Sequence, residues 1–181
     1  GVDNDLILRK YRIPDGHDPA AVTEAEQLGD TVAPTDLSRR TDFRAVTTVT
    51  IDGEPARDFD DAITLDTLPN GHHWLGVHVA DVAPSVKEGS ALDACAYARA
   101  TSVYFPERAL HMFPAPLATG LCSLNPGVDR LVQSCLMEID RRGAVVRFEL
   151  HDGVIRSDAR MTYTAVDKIL TERDPATREA Y

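Results

Sequence analysis

Positive charge is in short supply in this chain: 19 Lys and Arg stand against 29 Asp and Glu, for a formal net charge of −10. Non-specific affinity for a polyanion comes mostly from Lys and Arg neutralising phosphates, so charge alone argues against a nucleic-acid partner. No basic low-complexity tail and no aromatic RNA-recognition motif offsets that deficit. Cysteine is scarce too. Cys95, Cys122 and Cys135 are odd in number and widely spaced, with no C-x-x-C pair, which excludes a disulfide framework and a zinc ribbon and leaves them as small core residues. Long apolar runs are missing, so no bilayer-spanning segment is expected, and the start Gly1-Val2-Asp3-Asn4-Asp5 does not resemble a signal peptide. A cytoplasmic address and a monomer are the default expectations. What is present, 181 residues with 43% hydrophobic content, suffices for one folded domain with a real core.

Periodicity predicts an alternation of helices and strands. Val2, Leu6 and Ile7 fall at helical spacing up to about Tyr11, and a turn at Pro14-Asp15-Gly16 follows. A second helix is predicted from Asp18 to Leu28, with Pro19 in its first turn and Gly29 as its stop. Residues 31–44 read as loop. Strands are predicted at 46–51, 62–65 and 74–80, the last two joined by a turn at Pro69-Asn70-Gly71. Ser90 with Asp93 caps a helix reaching Ala100. Residues 106–120 are broken by Pro106, Pro114, Pro116 and Gly120. A hairpin around Arg142-Gly143 joins strands at 131–139 and 145–150. Thr164 with Asp167 caps a helix at 165–170, and Asp174-Pro175 opens another. The class is α/β, with α+β possible: a mixed sheet flanked by helices, in which residues 1–45 form a helical and linker segment leading into a domain at 46–181.

The feature that carries chemistry is the run from Ile51 to Asp61, which places Asp52, Asp58, Asp60 and Asp61 within ten residues directly after an apolar strand. Carboxylates that close repel one another unless cations neutralise them or water reaches every oxygen. Hard oxygen donors select magnesium, manganese or calcium. On an extended chain Asp58 and Asp60 project to one side and Asp61 to the other, while Asp52 lies a short loop away. Four such carboxylates can surround two cations, and two cations together activate water, stabilise a leaving oxygen and neutralise a phosphate. The spacing departs from an EF-hand, which needs alternating oxygen ligands, a central Gly and a terminal Glu. A solvated acidic loop or a structural calcium site remains open on the residues alone. His78 and Asp81 invite an acid–base reading, but His78 follows a strand pattern and is expected to be a hydrogen-bonded structural residue. The pair His72-His73 is expected to be exposed.

The wording T-I-D-x-x-x-A-R-D-F-D-D-A at 50–62 resembles the signature of the RNB catalytic domain, the nuclease core of the ribonuclease II and ribonuclease R family. Further blocks fall in the family's order. They are Val77-His78-Val79-Ala80-Asp81-Val82, Thr101-Ser102-Val103-Tyr104-Phe105-Pro106, Gly120-Leu121-Cys122-Ser123-Leu124-Asn125-Pro126-Gly127-Val128-Asp129-Arg130, and Arg156 to Thr164. Ala83-Pro84 and Ala94-Cys95 depart from the pattern, and Thr50 to Glu54 leans toward the ribonuclease R branch. The resemblance implies a 3′→5′ exoribonuclease that hydrolyses single-stranded RNA processively to nucleoside 5′-monophosphates with Mg2+, Mn2+ being possible. It makes Asp52, Asp58, Asp60 and Asp61 metal ligands, with Asp60 closest to the chemical step. Tyr104 falls beside the terminal nucleotide of the RNA. Asn125 and Arg130 contact RNA phosphate or cap the active-site loop, two roles the sequence does not separate. The family's RNA-gripping barrels and a late catalytic arginine lie outside this sequence, so the chain by itself is expected to be inactive. The alternative is a non-catalytic RNB-like module for RNA binding or regulation.

Overall fold

A computed structural model describes the backbone of residues 2–181 and the side chains from residue 4 onward; the expected apolar contribution of Val2 to the first helix lies outside the described side chains. In chain order the elements begin with α1 (Val2–Tyr11), α2 (Pro19–Gln27), α3 (Pro34–Leu37), β1 (Thr41–Asp42), β2 (Val49–Asp52), β3 (Asp61–Thr67), β4 (His73–Ala80) and α4 (Ala91–Arg99). They continue with β5 (Val103–Tyr104), β6 (Ala109–Leu110), a π-helical turn at Pro116–Leu121, β7 (Asp129–Ile139), β8 (Val145–Arg156), β9 (Ala159–Thr162), α5 (Tyr163–Asp167), a second π-helical turn at Lys168–Glu172, and α6 (Pro175–Ala180). This is a mixed α/β chain, as the sequence predicts.

Two compact units share the chain: one joins residues 1–30 to 82–121, the other joins 31–81 to 122–181. The segment expected as a linker, residues 1–45, therefore supplies helices to the first unit and β1 to the second. In the first unit the Asp18 carboxylate caps α2 by accepting from the Ala20 N–H at 2.8 Å, and Ser90 caps α4 by accepting from the Asp93 N–H. Each cap satisfies one amide that the first helical turn leaves unpaired. Ala21 and Ala25 of α2, Leu92 and Ala96 of α4, and Leu117 are buried there. Glu24 reaches across from α2 to accept from the Leu92 N–H at 2.9 Å.

The second unit is built on a seven-stranded sheet ordered β1-β8-β7-β4-β3-β2-β9. Most neighbours are antiparallel, but β1 runs parallel to β8 and β2 parallel to β9. Alternation explains the buried face: Arg130, Val132, Ser134, Leu136 and Glu138 of β7 all point inward, one every second residue. Phe59, Ala62, Leu124, Val132 and Ile155 form the packed cluster beneath the acidic run. A Cβ at Gly76 would lie 2.2 Å from the Thr64 hydroxyl and 2.9 Å from the His78 ring, so a larger residue there would force the buried side chains around it to shift.

Several sequence expectations shift. Residues 31–44 are not wholly loop, since Pro34 starts one helical turn and Phe43 donates to the Val154 carbonyl at 2.9 Å to seat β1. The strand expected at 46–51 begins later, at Val49, because Val46 closes a turn onto Phe43. The broken stretch at 106–120 still pairs β5 with β6 and ends in a π-helical turn. The late helix starts two residues early, because Thr162, not Thr164, accepts from the Ala165 N–H at 3.0 Å. β9 went unpredicted, its four residues having too little alternation to stand out. Among the cysteines only Cys122 is fully buried; all three are free thiols.

His78 is fully buried, as expected for a structural residue, and its ring bonds the Ser134 hydroxyl at 2.8 Å and lies 3.3 Å from that of Thr64. Burial pushes its pKa down to about 4. Folding thus keeps the ring neutral while the unfolded chain takes up a proton near its ordinary 6.5, so between those values the unfolded state holds more protons and stability rises with pH. The unfolding free energy from urea titrations should fall as pH drops from 6.5 toward 5, with a slope of up to about 1.4 kcal/mol per pH unit. His78→Gln should flatten that slope. An unchanged slope in the variant would assign the titration to another group.

Candidate active site

The acidic run spans the mouth of the β2–β3 hairpin. Asp52 ends β2, Asp61 opens β3, and residues 53–60 between them carry no regular secondary structure beyond one turn, in which the Ala56 N–H donates to the Gly53 carbonyl at 3.1 Å. A loop of that kind has no ladder to hold it, so its shape depends on what grips it from outside. Two grips are present, and both come from far along the chain.

The first is Ser123. Its hydroxyl accepts from the Phe59 N–H at 3.0 Å and donates to the Arg57 carbonyl at 3.0 Å, bracketing Asp58 on both sides. The Leu124 N–H then donates to the Phe59 carbonyl at 2.9 Å. Phe59 itself is buried in the core cluster, which pins the backbone between a half-buried Asp58 and an exposed Asp60. The second grip is Arg160 of β9, whose Nη2 donates to the Gly53 carbonyl at 2.7 Å and the Glu54 carbonyl at 2.8 Å. Its guanidinium also lies over the Phe59 ring, 5.6 Å from the centroid. The parallel pairing of Asp52 with Thr162 seats the end of β2 directly.

Electrostatics single out Asp52. Burial raises its pKa, and the neighbouring charges of Asp61 and Asp58 push the same way; the Thr50 hydroxyl and Arg160 oppose them. One oxygen, Asp52 Oδ2, is buried with no hydrogen-bond partner, as is the Thr50 hydroxyl, so any approach of the two falls short of bonding geometry. A buried carboxylate oxygen left unmatched beside two other carboxylates is a costly arrangement that a bound cation would relieve. The donors are all hard oxygens, which fits a magnesium-type ion. Among the described residues no three His, Cys, Asp or Glu side chains are already gathered into a metal-binding group. The fit therefore lies in donor chemistry and in the unmatched Asp52 oxygen, and not in a finished cage.

The other site residues fall as follows. Arg130 is buried, its Nε donating to the Ser123 carbonyl at 2.8 Å and its Nη1 to the Asp129 carbonyl at 2.9 Å. The Asn125 N–H donates to the same Ser123 carbonyl at 2.7 Å. These hydrogen bonds tie both residues to the Ser123 carbonyl beside the loop. Tyr104 belongs to the first unit, at the end of β5, with its ring 63% exposed and edge-on to His111 at 6.4 Å. Asp81 is ion-paired to Arg40 at 2.6 Å, with only 8% and 10% of the two side chains exposed. His72 is not merely exposed: its Nδ1 lies 2.8 Å from Glu138. Ser123 and Arg160 hold the candidate loop, and sequence reasoning missed both. Both fall inside blocks that carry the family resemblance, but no spacing rule marks a lone Ser or Arg as a clamp.

Residues 40–181 match the RNB domain family. The chain is 43% identical over 180 residues to ribonuclease R 2 of Lactococcus lactis and 46% identical over 182 residues to ribonuclease R of Thermotoga maritima, covering 99% of this chain in each case. It spans only about a quarter of those relatives, 27% and 25% of their lengths. Among solved structures, Mycoplasma genitalium RNase R in complex with ribose methylated single-stranded RNA superposes with a TM-score of 0.88 at 29% identity, over 96% of this chain and 27% of that one. Yeast Ssd1, a pseudonuclease, shares the fold at a TM-score of 0.72 and 22% identity, over 81% of this chain and 18% of that one.

Proposed function

The chain belongs to the RNB domain family, and from that premise we propose that it carries the acidic metal site of a 3′→5′ exoribonuclease that degrades single-stranded RNA processively to nucleoside 5′-monophosphates. The observation that supports this reading most is the clamped loop: all four aspartates sit on one segment whose backbone is fixed from two sides, with an unmatched oxygen on Asp52. Asp52, Asp58, Asp60 and Asp61 would hold divalent cations, Mg2+ or Mn2+. Such cations, when bound, supply a water deprotonated near neutral pH and neutralise the phosphate. Ser123 and Arg160 fix where the carboxylates stand, so no reorganisation is needed as charge develops. Tyr104 presents an exposed ring on which a terminal base can stack, a contact indifferent to sequence. The net charge of −10 leaves most of the grip on RNA to parts of the longer protein outside this chain.

The rival reading, an RNB-like module without catalysis, draws support from the shared fold of a pseudonuclease. Fold alone does not decide function. Retention of all four aspartates favours the enzyme.

The test uses the full-length parent protein and a 5′-labelled single-stranded RNA. Stepwise shortening from the 3′ end is expected, abolished by a chelator and restored by Mg2+ or Mn2+. Tyr104→Ala should remove a stacking contact worth about 1–3 kcal/mol and shift the smallest product to a longer oligonucleotide with the metal requirement intact. Cleavage indifferent to chelation would remove the metal assignment, and an unchanged limit product would make Tyr104 a packing residue.

A further inference from the structure

β9 is four residues long, all of them half-buried, and it lies at the edge of the sheet with β2 as its strand neighbour. Burial fixes the register of a strand when one face points in and the other out. β9 has no such contrast. Its register matters all the same, because the pairing of Thr50 with Arg160 and of Asp52 with Thr162 is what brings the Arg160 guanidinium to the Gly53 and Glu54 carbonyls. A slip of one residue would turn the Arg160 side chain to the opposite face of the sheet and release the first half of the acidic loop.

The register is set one residue before that ladder begins. Thr48 is fully buried, and both of its main-chain groups are taken by Asp158: the Thr48 N–H donates to Asp158 Oδ2 at 2.7 Å, and the Thr48 carbonyl accepts from the Asp158 N–H at 2.8 Å. The Ser157 hydroxyl adds a longer bond to the same carbonyl, at 3.4 Å. A buried amide left without an acceptor is costly, so any shift of β9 along β2 that takes the carboxylate away from Thr48 is disfavoured. The short Asp158 side chain thus stands in for the carbonyl that one more ladder residue would have offered. Nothing in that role needs its charge.

We propose that Asp158 is a positioning residue for the acidic site: it pins the register of β9 on β2, and through Arg160 and Thr162 it holds the loop that carries Asp52, Asp58, Asp60 and Asp61. This role rests on the metal-dependent reading of that loop, which chelation and readdition of Mg2+ test in the wild-type protein alone. Asp158 bonds Thr48, at the opposite end of β2 from Asp52, so it acts on the carboxylates only through the two strands. Its loss should weaken the hold on cations and leave RNA affinity alone.

Three substitutions in the full-length parent separate shape from charge. Asp158→Asn keeps the acceptor and loses the charge, Asp158→Glu keeps the charge but carries the oxygen a methylene too far, and Asp158→Ala has no acceptor. The first readout needs no metal: hydrogen exchange at the amides of 160–162, and at Ala56, whose N–H bonds the Gly53 carbonyl within the loop, should be faster in Asp158→Ala and Asp158→Glu and unchanged in Asp158→Asn. The second is the Mg2+ concentration for half-maximal cleavage of a labelled single-stranded RNA. It should rise by about tenfold in the Ala and Glu variants, with kcat at saturating Mg2+ and RNA affinity held, and stay at the wild-type value in Asp158→Asn. Melting curves show which variants fold; if Asp158→Ala does not, the contrast between Asn and Glu decides. A lower Tm with exchange at Ala56 and the Mg2+ midpoint both unmoved would make Asp158 a stability residue only and overturn the proposal. An Asn variant as impaired as the Ala or Glu variant would assign the effect to charge and overturn it as well. Wild-type cleavage that ignores chelation would sink the metal reading itself, whereas equal exchange at Ala56 in wild type and variants would sink the role of Asp158 whatever the metal does.

Discussion

Asp60→Asn in the full-length protein is expected to lower turnover by about a thousandfold or more while RNA still binds. The substitution keeps the shape of the side chain and the main-chain contact in which the Asp60 carbonyl accepts from the Ala80 N–H at 2.9 Å, and it removes one negative charge. If that charge holds a cation that acts on the scissile phosphate, the loss falls on the transition state and not on ground-state binding. The measurements are single-turnover cleavage of a labelled RNA and, separately, RNA affinity. Near-normal cleavage by the variant would sink the assignment of Asp60 to the chemical step. Parallel loss of binding and cleavage would instead mean that the loop had lost its shape.

The largest effect on stability should come from Asp81→Ala. Its carboxylate accepts from Arg40 at 2.6 Å, and Arg40 also donates to the Val132 and Gly153 carbonyls, both at 3.3 Å. Removing the carboxylate leaves a guanidinium in a nearly closed pocket, and breaking a buried pair from one side costs about 3–5 kcal/mol. Arg40→Met combined with Asp81→Leu should cost much less, because no charge is left behind. Urea unfolding of the single and double variants decides the matter; a single variant within about 0.5 kcal/mol of wild type would show that water reaches the pair.

Helices and hairpins were legible wherever the signal is local. Ser90 caps the helix it was expected to cap, Asp18 stands where the second helix was expected to open, and the Leu68–His72 turn joins β3 to β4 at the Asn70-Gly71 pair, with Gly71 at φ +78°. The four aspartates stand out in the sequence because they fall within ten residues. What the sequence hid is everything long-range. β9 has four residues, and its pairing with β2 across more than a hundred positions leaves no periodic trace. Ser123 is one hydroxyl 64 residues from Phe59, and only the folded chain shows it bracketing Asp58. Asp81 reads as a candidate acid from its surroundings in sequence, and its partner Arg40 stands 41 residues earlier, in a segment with no strong pattern.

The parallel pairing of β2 with β9 sets an order in time as well as in space. Asp52 is seated by Thr162, and Gly53 is held by Arg160 from 107 residues away. Contacts that close such long loops must first overcome the entropy of bringing distant segments together, so they form late and make folding slow. On a ribosome, the carboxylates cannot be drawn into place until β9 has left the exit tunnel. Every nascent chain shorter than that carries the complete acidic sequence without its shape. The loop therefore takes its clamped shape only once nearly the whole of this segment has been made.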